Sequence, residues 1–177
     1  MTLRSQGQGK KEFHQAPILC FALHPSQPVV ISGDESGVVY VSQFITGEIH
    51  GIVGTHSDNV ESIVISPTQQ IAASAGIDNK IFIYDLNTYA IRLTVNIGVY
   101  GGFTKLTFSN QDENTLIAGS TLGDISLIDP RNGQITKTIK GHIAPVNDYK
   151  EVSLFGERML VTAGDDNQCM VFRMDQN

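Results

Sequence analysis

The stretch that decides the fold is Gly76-Ile77-Asp78-Asn79-Lys80-Ile81-Phe82-Ile83-Tyr84-Asp85-Leu86. Gly76 ends one short apolar run, an Asp-containing turn follows it, and a second apolar run ends at Asp85. The second run is rich in Ile, Phe and Tyr, which favour half-buried pleated surfaces. The pattern predicts two β-strands joined by a tight turn.

This glycine recurs along the chain with a period of about 43 residues. Its four copies, at Gly33, Gly76, Gly119 and Gly164, are 43, 43 and 45 residues apart. The second runs end with the same period, at Ser42, Asp85, Asp129 and Arg173. A histidine or its replacement precedes each unit, at His14, His56, Gly98 and His142. A period of this length indicates a solenoid or a propeller.

The units contain strand patterns and no helical one. Apolar residues do not recur at the i, i+3, i+4, i+7 spacing of an amphipathic helix. We therefore predict an all-β fold, a β-propeller of about four four-stranded antiparallel blades. The predicted blades are about 13–55, 56–97, 98–141 and 142–177, and residues 1–12 are predicted to be a flexible basic tail or a donated strand.

The fourth unit raises a question of ring closure. It ends soon after its third strand and lacks a fourth strand, for which Gly9–His14 is a candidate. An open blade edge leaves backbone groups unpaired. We expect one of three arrangements: the chain is a piece of a larger propeller, it self-associates to complete a ring, or a partner covers the edges.

Composition and charge argue against nucleic-acid binding and against membrane association. The chain has 177 residues, 41% of them apolar, and a net charge of −6. Residues 1–13 carry +2, so the remaining residues carry −8. A body this acidic is unsuited to nucleic acid and suited to a basic partner. The sequence has no apolar run of membrane-spanning length and no signal peptide pattern, and its two cysteines make no disulfide framework. We expect no membrane partner and a reduced, cytoplasmic protein, the nucleus being the alternative.

The units resemble WD repeats. The second unit has His56, then Ser74, Asp78 and Tyr84-Asp85, and the fourth has Gly141-His142, then Thr162, Asp166 and Phe172-Arg173. Departures are the absence of Trp, Gly98 in place of the third His, Glu35 in place of the first turn Asp, and one extra residue in the third unit. The resemblance implies a propeller that binds proteins through its loops, commonly with seven or eight blades.

A finer resemblance is to the C-terminal repeats of the angio-associated migratory protein family, which includes a fungal chaperone of a large-subunit ribosomal protein. It rests on residues 58–63, residues 76–86, Gly141-His142, and the end of the chain from Val161 to Phe172. It implies either a chaperone for a basic ribosomal protein in large-subunit biogenesis or a migration-linked signalling adaptor. A structural subunit of a larger WD-repeat assembly, held through blade edges, is a further alternative.

Two hydrogen-bonded networks are predicted inside the blades. One joins His56, Ser74, Asp78 and Tyr84, and the other joins His142, Thr162, Asp166 and Phe172. The alternative reading of the first network is a Ser-His-Asp catalytic triad, which requires an exposed hydroxyl and an oxyanion hole. Ser74 lies within a strand and lacks a nucleophile elbow, so we expect a structural role and no enzyme activity. No metal or cofactor motif occurs, and none is expected.

The acidic residues near the turns suggest a binding surface. In a WD propeller one face is formed by the loops before the first strands and by the turns between the second and third strands. The sequence places the following residues on that face: Asp34, Glu35, Asp58, Asn59, Ile77, Asp124 and Asp165. We predict that this acidic face binds a basic protein or peptide, a solvated surface without a partner being the plain alternative.

Overall fold

The computed structural model describes residues 13–96 and 101–174, and in this part of the chain it contains fifteen β-strands and no helix. The first two sheets contain β1 Ile18–Leu23, β2 Val29–Asp34, β3 Val38–Gln43, β4 Ile49–Thr55, β5 Val60–Ile65, β6 Ile71–Gly76, β7 Lys80–Asp85 and β8 Ile91–Asn96. The last two contain β9 Phe103–Phe108, β10 Leu116–Ser120, β11 Ile125–Ile128, β12 Ile135–Ile139, β13 Val146–Leu154, β14 Glu157–Gly164 and β15 Cys169–Arg173.

The strands form four separate antiparallel sheets, each built from consecutive strands. The first three sheets have four strands, and the fourth has three within the described residues. The predicted all-β propeller fold is therefore confirmed. The strand candidate Gly9–His14 lies mostly outside the described residues. His14 itself hydrogen-bonds to Ser32 and Asp34 of the first sheet, so it does not extend the fourth.

Every first strand carries a β-bulge near its start. Ile18 pairs with Asp34 and Cys20 pairs with Gly33, which leaves Leu19 as an extra residue. The same irregularity occurs in the other three sheets, after Val60, Phe103 and Val146. A bulge re-aims the side chains that follow it. Because the bulge recurs, Ile18, Val60, Phe103 and Val146 occupy equivalent positions, and the whole blade can be compared residue by residue.

The turn between the second and third strands also repeats. Each turn ends in a residue with positive φ, at Gly37, Asn79, Gly123 and Asn167. A Cβ on Gly37 would lie 2.2 Å from the backbone oxygen of His56, and one on Gly123 would lie 2.2 Å from that of His142. The loop that opens the next blade therefore rests directly on this turn.

The hydrophobic core lies between successive sheets. Ile31, Val39 and Val41 of the first sheet pack with Val60 and Ile63 of the second. Equivalent clusters join the second sheet to the third and the third to the fourth. Removal of this apolar area from water stabilises the fold by roughly 25 cal/mol per Å². Each blade thus buries its apolar side only against its neighbours, as in other repeat architectures.

One of the contacts between blades contains a buried carboxylate. Glu151 of β13 is buried at the position that Leu23, Ile65 and Phe108 occupy in the other blades. Its Oε2 accepts hydrogen bonds from the Ser109 hydroxyl at 2.8 Å and from the Asn110 amide at 3.0 Å. Its Oε1 pairs with the Arg158 guanidinium at 2.8 Å. These bonds join the fourth blade to the third and satisfy a carboxylate that would otherwise be costly to bury.

Candidate protein-binding face

The second blade contains a continuous chain of four hydrogen-bonded side chains. Nδ1 of His56 lies 2.8 Å from Oδ1 of Asp78, and Nε2 lies 2.8 Å from the Ser74 hydroxyl. The Ser74 hydroxyl lies 2.7 Å from that of Tyr84. A neutral imidazole fits this arrangement, with Nδ1 donating to the carboxylate and Nε2 accepting from the hydroxyl. All four side chains are at most 2% exposed, so the bonds form in a low-dielectric interior.

The same atoms have the connectivity of a Ser-His-Asp triad, but Ser74 has no access to a substrate. Ser74 lies within β6 and is fully buried, and its hydroxyl is hydrogen-bonded to both His56 and Tyr84. A nucleophile must reach the carbonyl that it attacks. The geometry therefore favours a structural role for this network.

The fourth blade repeats the network with one difference. Nδ1 of His142 lies 2.9 Å from Asp166, and Nε2 lies 2.7 Å from the Thr162 hydroxyl. Phe172 occupies the position of Tyr84 and has no hydroxyl, so the chain of hydrogen bonds ends at Thr162. Burial raises the pKa of Asp166, but hydrogen bonds from His142 and from the Ile143 and Gln168 amides outweigh it and leave that pKa lowered.

The first blade contains a third network that the sequence comparison missed. Nδ1 of His14 lies 2.6 Å from Oδ2 of Asp34, and Nε2 lies 2.7 Å from the Ser32 hydroxyl. Asp34 also accepts hydrogen bonds from Ser36 and from the Val38 amide. The prediction that Asp34 lines the exposed face is therefore wrong, since the residue is 1% exposed. The repeat pattern expects the turn Asp at position 35, where Glu35 stands. Asp34 is the adjacent residue, and this adjacency could have identified it in the sequence as the partner of His14.

The third blade lacks the network. Ala118 and Ile128 occupy the positions of Ser74 and Tyr84 and carry no hydroxyl. Gly98, which replaces the His in the sequence, lies outside the described residues. The polar network is therefore present in the first, second and fourth blades, and apolar side chains replace it in the third.

The loops around these networks form one continuous face at one edge of the sheets. The Ile77 amide donates to the Asn59 oxygen at 3.0 Å, and the Asp165 amide donates to the Pro145 oxygen at 2.9 Å. Both bonds tie a turn to the loop that opens its own blade. The His56 amide donates to the Gly37 oxygen at 2.8 Å and so joins the first blade to the second.

The structure divides the predicted face residues by exposure. Glu35, Asp58 and Asp165 are exposed at this edge, whereas Asp124 is half-buried. Asp124 lies 3.8 Å from Nζ of Lys140. We call these four carboxylates the acidic rim. The side chains of Asp78 and Asp166 are buried with their histidines and add nothing to it.

Asn59 and Ile77 are half-buried and contact neighbouring loops. The Asn59 amide nitrogen Nδ2 lies 3.4 Å from Glu61. A Cβ on Gly102 would lie 2.3 Å from the Ile77 Cα, so the third blade begins directly against Ile77. A role for these two residues in binding a partner stays a prediction.

Within residues 13–96 and 101–174, no group of three or more His, Cys, Asp or Glu side chains is placed to hold a metal ion. The same part of the chain contains no helix with the length and apolar character needed to cross a bilayer.

The buried His56 predicts a pH-dependent stability. Burial lowers its pKa below the ordinary 6.5 and outweighs the opposing effect of Asp78. The unfolded chain then binds a proton more readily than the folded one as the pH falls below about 6.5. We expect the free energy of unfolding to fall by up to about 1.4 kcal/mol per pH unit in that interval. Urea denaturation followed by circular dichroism between about pH 7.5 and pH 5 measures it.

The control for this prediction is His56→Gln, which removes the titrating group. The other four histidines are present in both proteins, so the difference between the two pH profiles is the relevant quantity. The variant should show a shallower loss of stability on acidification. Parallel profiles would contradict a lowered pKa at His56.

A model of the "WD domain, G-beta repeat" matches residues 8–41 and 47–85. The first half of the chain therefore contains two segments that match the WD repeat. Proteins of this family are typically non-catalytic scaffolds that bind other proteins.

Two curated relatives are similar over most of this chain. The nuclear distribution protein nudF of Aspergillus niger is 26% identical over 92% of the chain. The angio-associated migratory cell protein of Canis lupus familiaris is 25% identical over 91% of it, which confirms the predicted resemblance. The chain spans 37% and 39% of the lengths of these two relatives.

Solved structures show the same fold. Sqt1 of Saccharomyces cerevisiae superposes on 92% of this chain with a TM-score of 0.81 and 24% identity, the match covering 47% of Sqt1. Sqt1 of Chaetomium thermophilum, solved bound to the N-terminus of ribosomal protein L10, superposes on 88% of the chain with a TM-score of 0.76 and 25% identity, over 43% of its length. The computationally designed protein Ika4 is matched over 94% of its own chain and 92% of this one, with a TM-score of 0.76 and 23% identity.

Proposed function

We propose that the chain is a non-catalytic scaffold whose acidic rim binds a basic protein segment. The more specific form of the proposal is an assembly chaperone that holds the N-terminus of a basic ribosomal protein during biogenesis of the large subunit. The proposal assigns no reaction to the chain and places it in the cytoplasm. The similarity to Sqt1 bound to ribosomal protein L10 supports this class of partner.

The observation that carries the proposal is the placement of the four rim carboxylates. Glu35, Asp124 and Asp165 lie in the turns between second and third strands, and Asp58 lies in the loop that opens the second blade. All four therefore lie at the same edge of the four sheets. Lys140 lies near one of the four rim carboxylates, that of Asp124. Lys80 lies 4.0 Å from the buried Asp78, which is not part of the rim.

A rim of like charge on a rigid scaffold attracts a basic segment and accelerates its encounter. Such interactions act mainly on the association rate and weaken as salt screens them. A basic segment also neutralises the repulsion between the rim carboxylates. The buried histidine networks hold the loops in place, so the rim is preorganised before the partner arrives.

Binding can be tested with a fluorescent peptide that carries the N-terminal sequence of ribosomal protein L10. The triple variant Glu35→Gln, Asp58→Asn, Asp165→Asn removes the three exposed rim charges. We expect its affinity at low salt to fall by about tenfold, mainly through slower association, and its dependence on salt to flatten. Stopped-flow fluorescence at several salt concentrations measures both quantities.

The matched control removes three carboxylates at the opposite edge of the sheets, in Glu48→Gln, Glu113→Gln, Glu157→Gln. Glu48 and Glu113 lie in loops at that edge, and Glu157 is the first residue of β14, next to the β13–β14 turn. The control has the same net charge as the rim variant. An equal loss of affinity in both triple variants would show that net charge alone matters, and the rim proposal would then fail.

A further inference from the structure

The first blade exposes an apolar surface at positions that every later blade buries. The strand register makes Ile18 equivalent to Val60, Phe103 and Val146, and makes Phe21 equivalent to Ile63, Leu106 and Tyr149. All six of these counterparts are buried against the preceding blade, whereas Ile18 and Phe21 are 47% and 65% exposed. Leu23 of the same strand is 55% exposed. We call Ile18, Phe21 and Leu23 the leading face.

The fourth blade exposes the complementary surface. Its Val161, Ala163, Cys169 and Val171 form two neighbouring pairs across β14 and β15, and we call these four residues the trailing face. The counterparts of Cys169 are Val39, Ile81 and Ile125, and those of Val171 are Val41, Ile83 and Leu127. All six counterparts are buried, but Cys169 is exposed and Val171 is 60% exposed.

The shapes of the two faces also correspond. A Cβ on Gly33 would lie 2.5 Å from Val60, and one on Gly119 would lie 3.2 Å from Val146. The residue at this position must therefore be small, because the first-strand residue of the next blade packs on it. Ala163 holds this position in the fourth blade, as Ala75 does in the second. It leaves room for a residue such as Ile18.

We propose that the leading face of one copy packs on the trailing face of a second copy, and the reverse, so that two copies close an eight-bladed ring. The contact continues an interface that the chain already makes three times between its own blades. Each copy carries one face of each kind, so two contacts satisfy both copies and leave no apolar face open. Such a head-to-tail contact closes into a ring when the rotation between copies permits it.

One turn position affects the contact between copies. Gly37 and Gly123 leave room for the His carbonyl of the next blade, whereas Asn79 and Asn167 occupy this turn position in the second and fourth blades. The carbonyl of the second copy's His14 would therefore meet the Cβ of Asn167. We expect Asn167→Gly to lower the dissociation constant of the dimer. A raised constant would contradict this packing.

The oligomeric state of the full chain is the direct test. Light scattering and sedimentation over a range of concentrations should give twice the mass of one chain, with dissociation on dilution. Phe21→Glu on the leading face and Val171→Glu on the trailing face should each produce monomers. The control Phe155→Glu changes an exposed apolar residue at a hairpin tip and should leave the dimer intact. Circular dichroism establishes that each variant is folded.

A mixture of the two face variants distinguishes the head-to-tail contact from other dimers. Each variant alone lacks one side of every contact, but an equimolar mixture restores one contact of the two. The mixture should therefore associate, with a weaker affinity than the unmodified chain. If the unmodified chain is a monomer at every concentration, the proposal is overturned, and blades of another chain are then expected to cover the two faces. Open-ended oligomers would overturn ring closure.

Cys169 supplies an independent readout of the trailing face. The chain has two cysteines, and Cys20 is half-buried, its pKa raised by burial to about 12. Cys169 is thus the thiol that alkylates readily. Phe21→Glu, in the first blade, should increase the alkylation rate of Cys169, in the fourth, because the covering copy is lost. An unchanged rate would contradict contact between the two faces.

Discussion

His56→Ala is expected to lower the free energy of unfolding by about 3 kcal/mol. The substitution removes the hydrogen bonds to Asp78 and Ser74 and leaves a cavity beside Phe82, whose ring centre lies 4.3 Å from that of His56. A buried polar group left without its partner costs about 1–3 kcal/mol, and a cavity adds to that cost. Urea denaturation followed by circular dichroism at fixed protein concentration measures the change, since the chain has no Trp to report on unfolding.

The matched control is His50→Ala. His50 is exposed and its ring lies against that of Tyr89, so the same substitution should change the stability by less than about 0.5 kcal/mol. A double-mutant cycle with Asp78→Ala separates the network from simple loss of volume. We expect a coupling energy of about 1–3 kcal/mol between the two positions. Additive effects would show that the hydrogen-bonded pair contributes little.

Gly37→Ala is expected to destabilise the chain by about 3 kcal/mol or more. Gly37 has a φ of 90°, and its Cβ would lie 2.2 Å from the backbone oxygen of His56 and 2.9 Å from that of Asp58. Backbone atoms of the next blade cannot move aside as the end of a flexible side chain can. The alanine must therefore displace the loop that carries His56, which weakens the contact between the first two blades. Chemical denaturation measures the loss.

Gly156→Ala separates this steric effect from backbone strain. Gly156 has a φ of 80°, and nothing lies within 4 Å of the Cβ that an alanine would add. Its cost should therefore be the cost of positive φ alone, about 1–2 kcal/mol. Equal losses at the two glycines would mean that the next blade does not rest on the turn at Gly37.

His56 and Gly37 both help to fix the position of the acidic rim. The buried histidine holds the turn of its own blade, through Asp78, and its loop rests on the turn of the preceding blade, through Gly37. The loop that carries Asp58 is thus fixed from both sides. Damage to either contact should weaken peptide binding together with stability, whereas the rim charge variant should weaken binding alone.

The sequence by itself determined the repeat period, the strand order and the networks in the second and fourth blades. These features depend on short-range spacing: a strand pattern of period two, a turn residue with positive φ, and a His, a hydroxyl and an Asp at fixed offsets within one blade. The strand β5, Val60–Ile65, is mostly apolar and is bounded by turn residues on both sides. Local rules of this kind do not depend on the neighbouring blades.

Only the tertiary structure decided which polar groups are buried and which apolar groups are not. Asp34 and Glu35 are neighbours of like charge, yet Asp34 is buried in a hydrogen bond with His14 and Glu35 is exposed to solvent. Glu151 occupies an apolar position because Ser109, Asn110 and Arg158 surround its carboxylate. Ile18 and Val60 occupy equivalent positions in their strands. They differ in exposure because the preceding blade covers Val60, whereas no blade among the described residues covers Ile18. Burial is a property of the contact between blades, and one repeat read alone does not contain that contact.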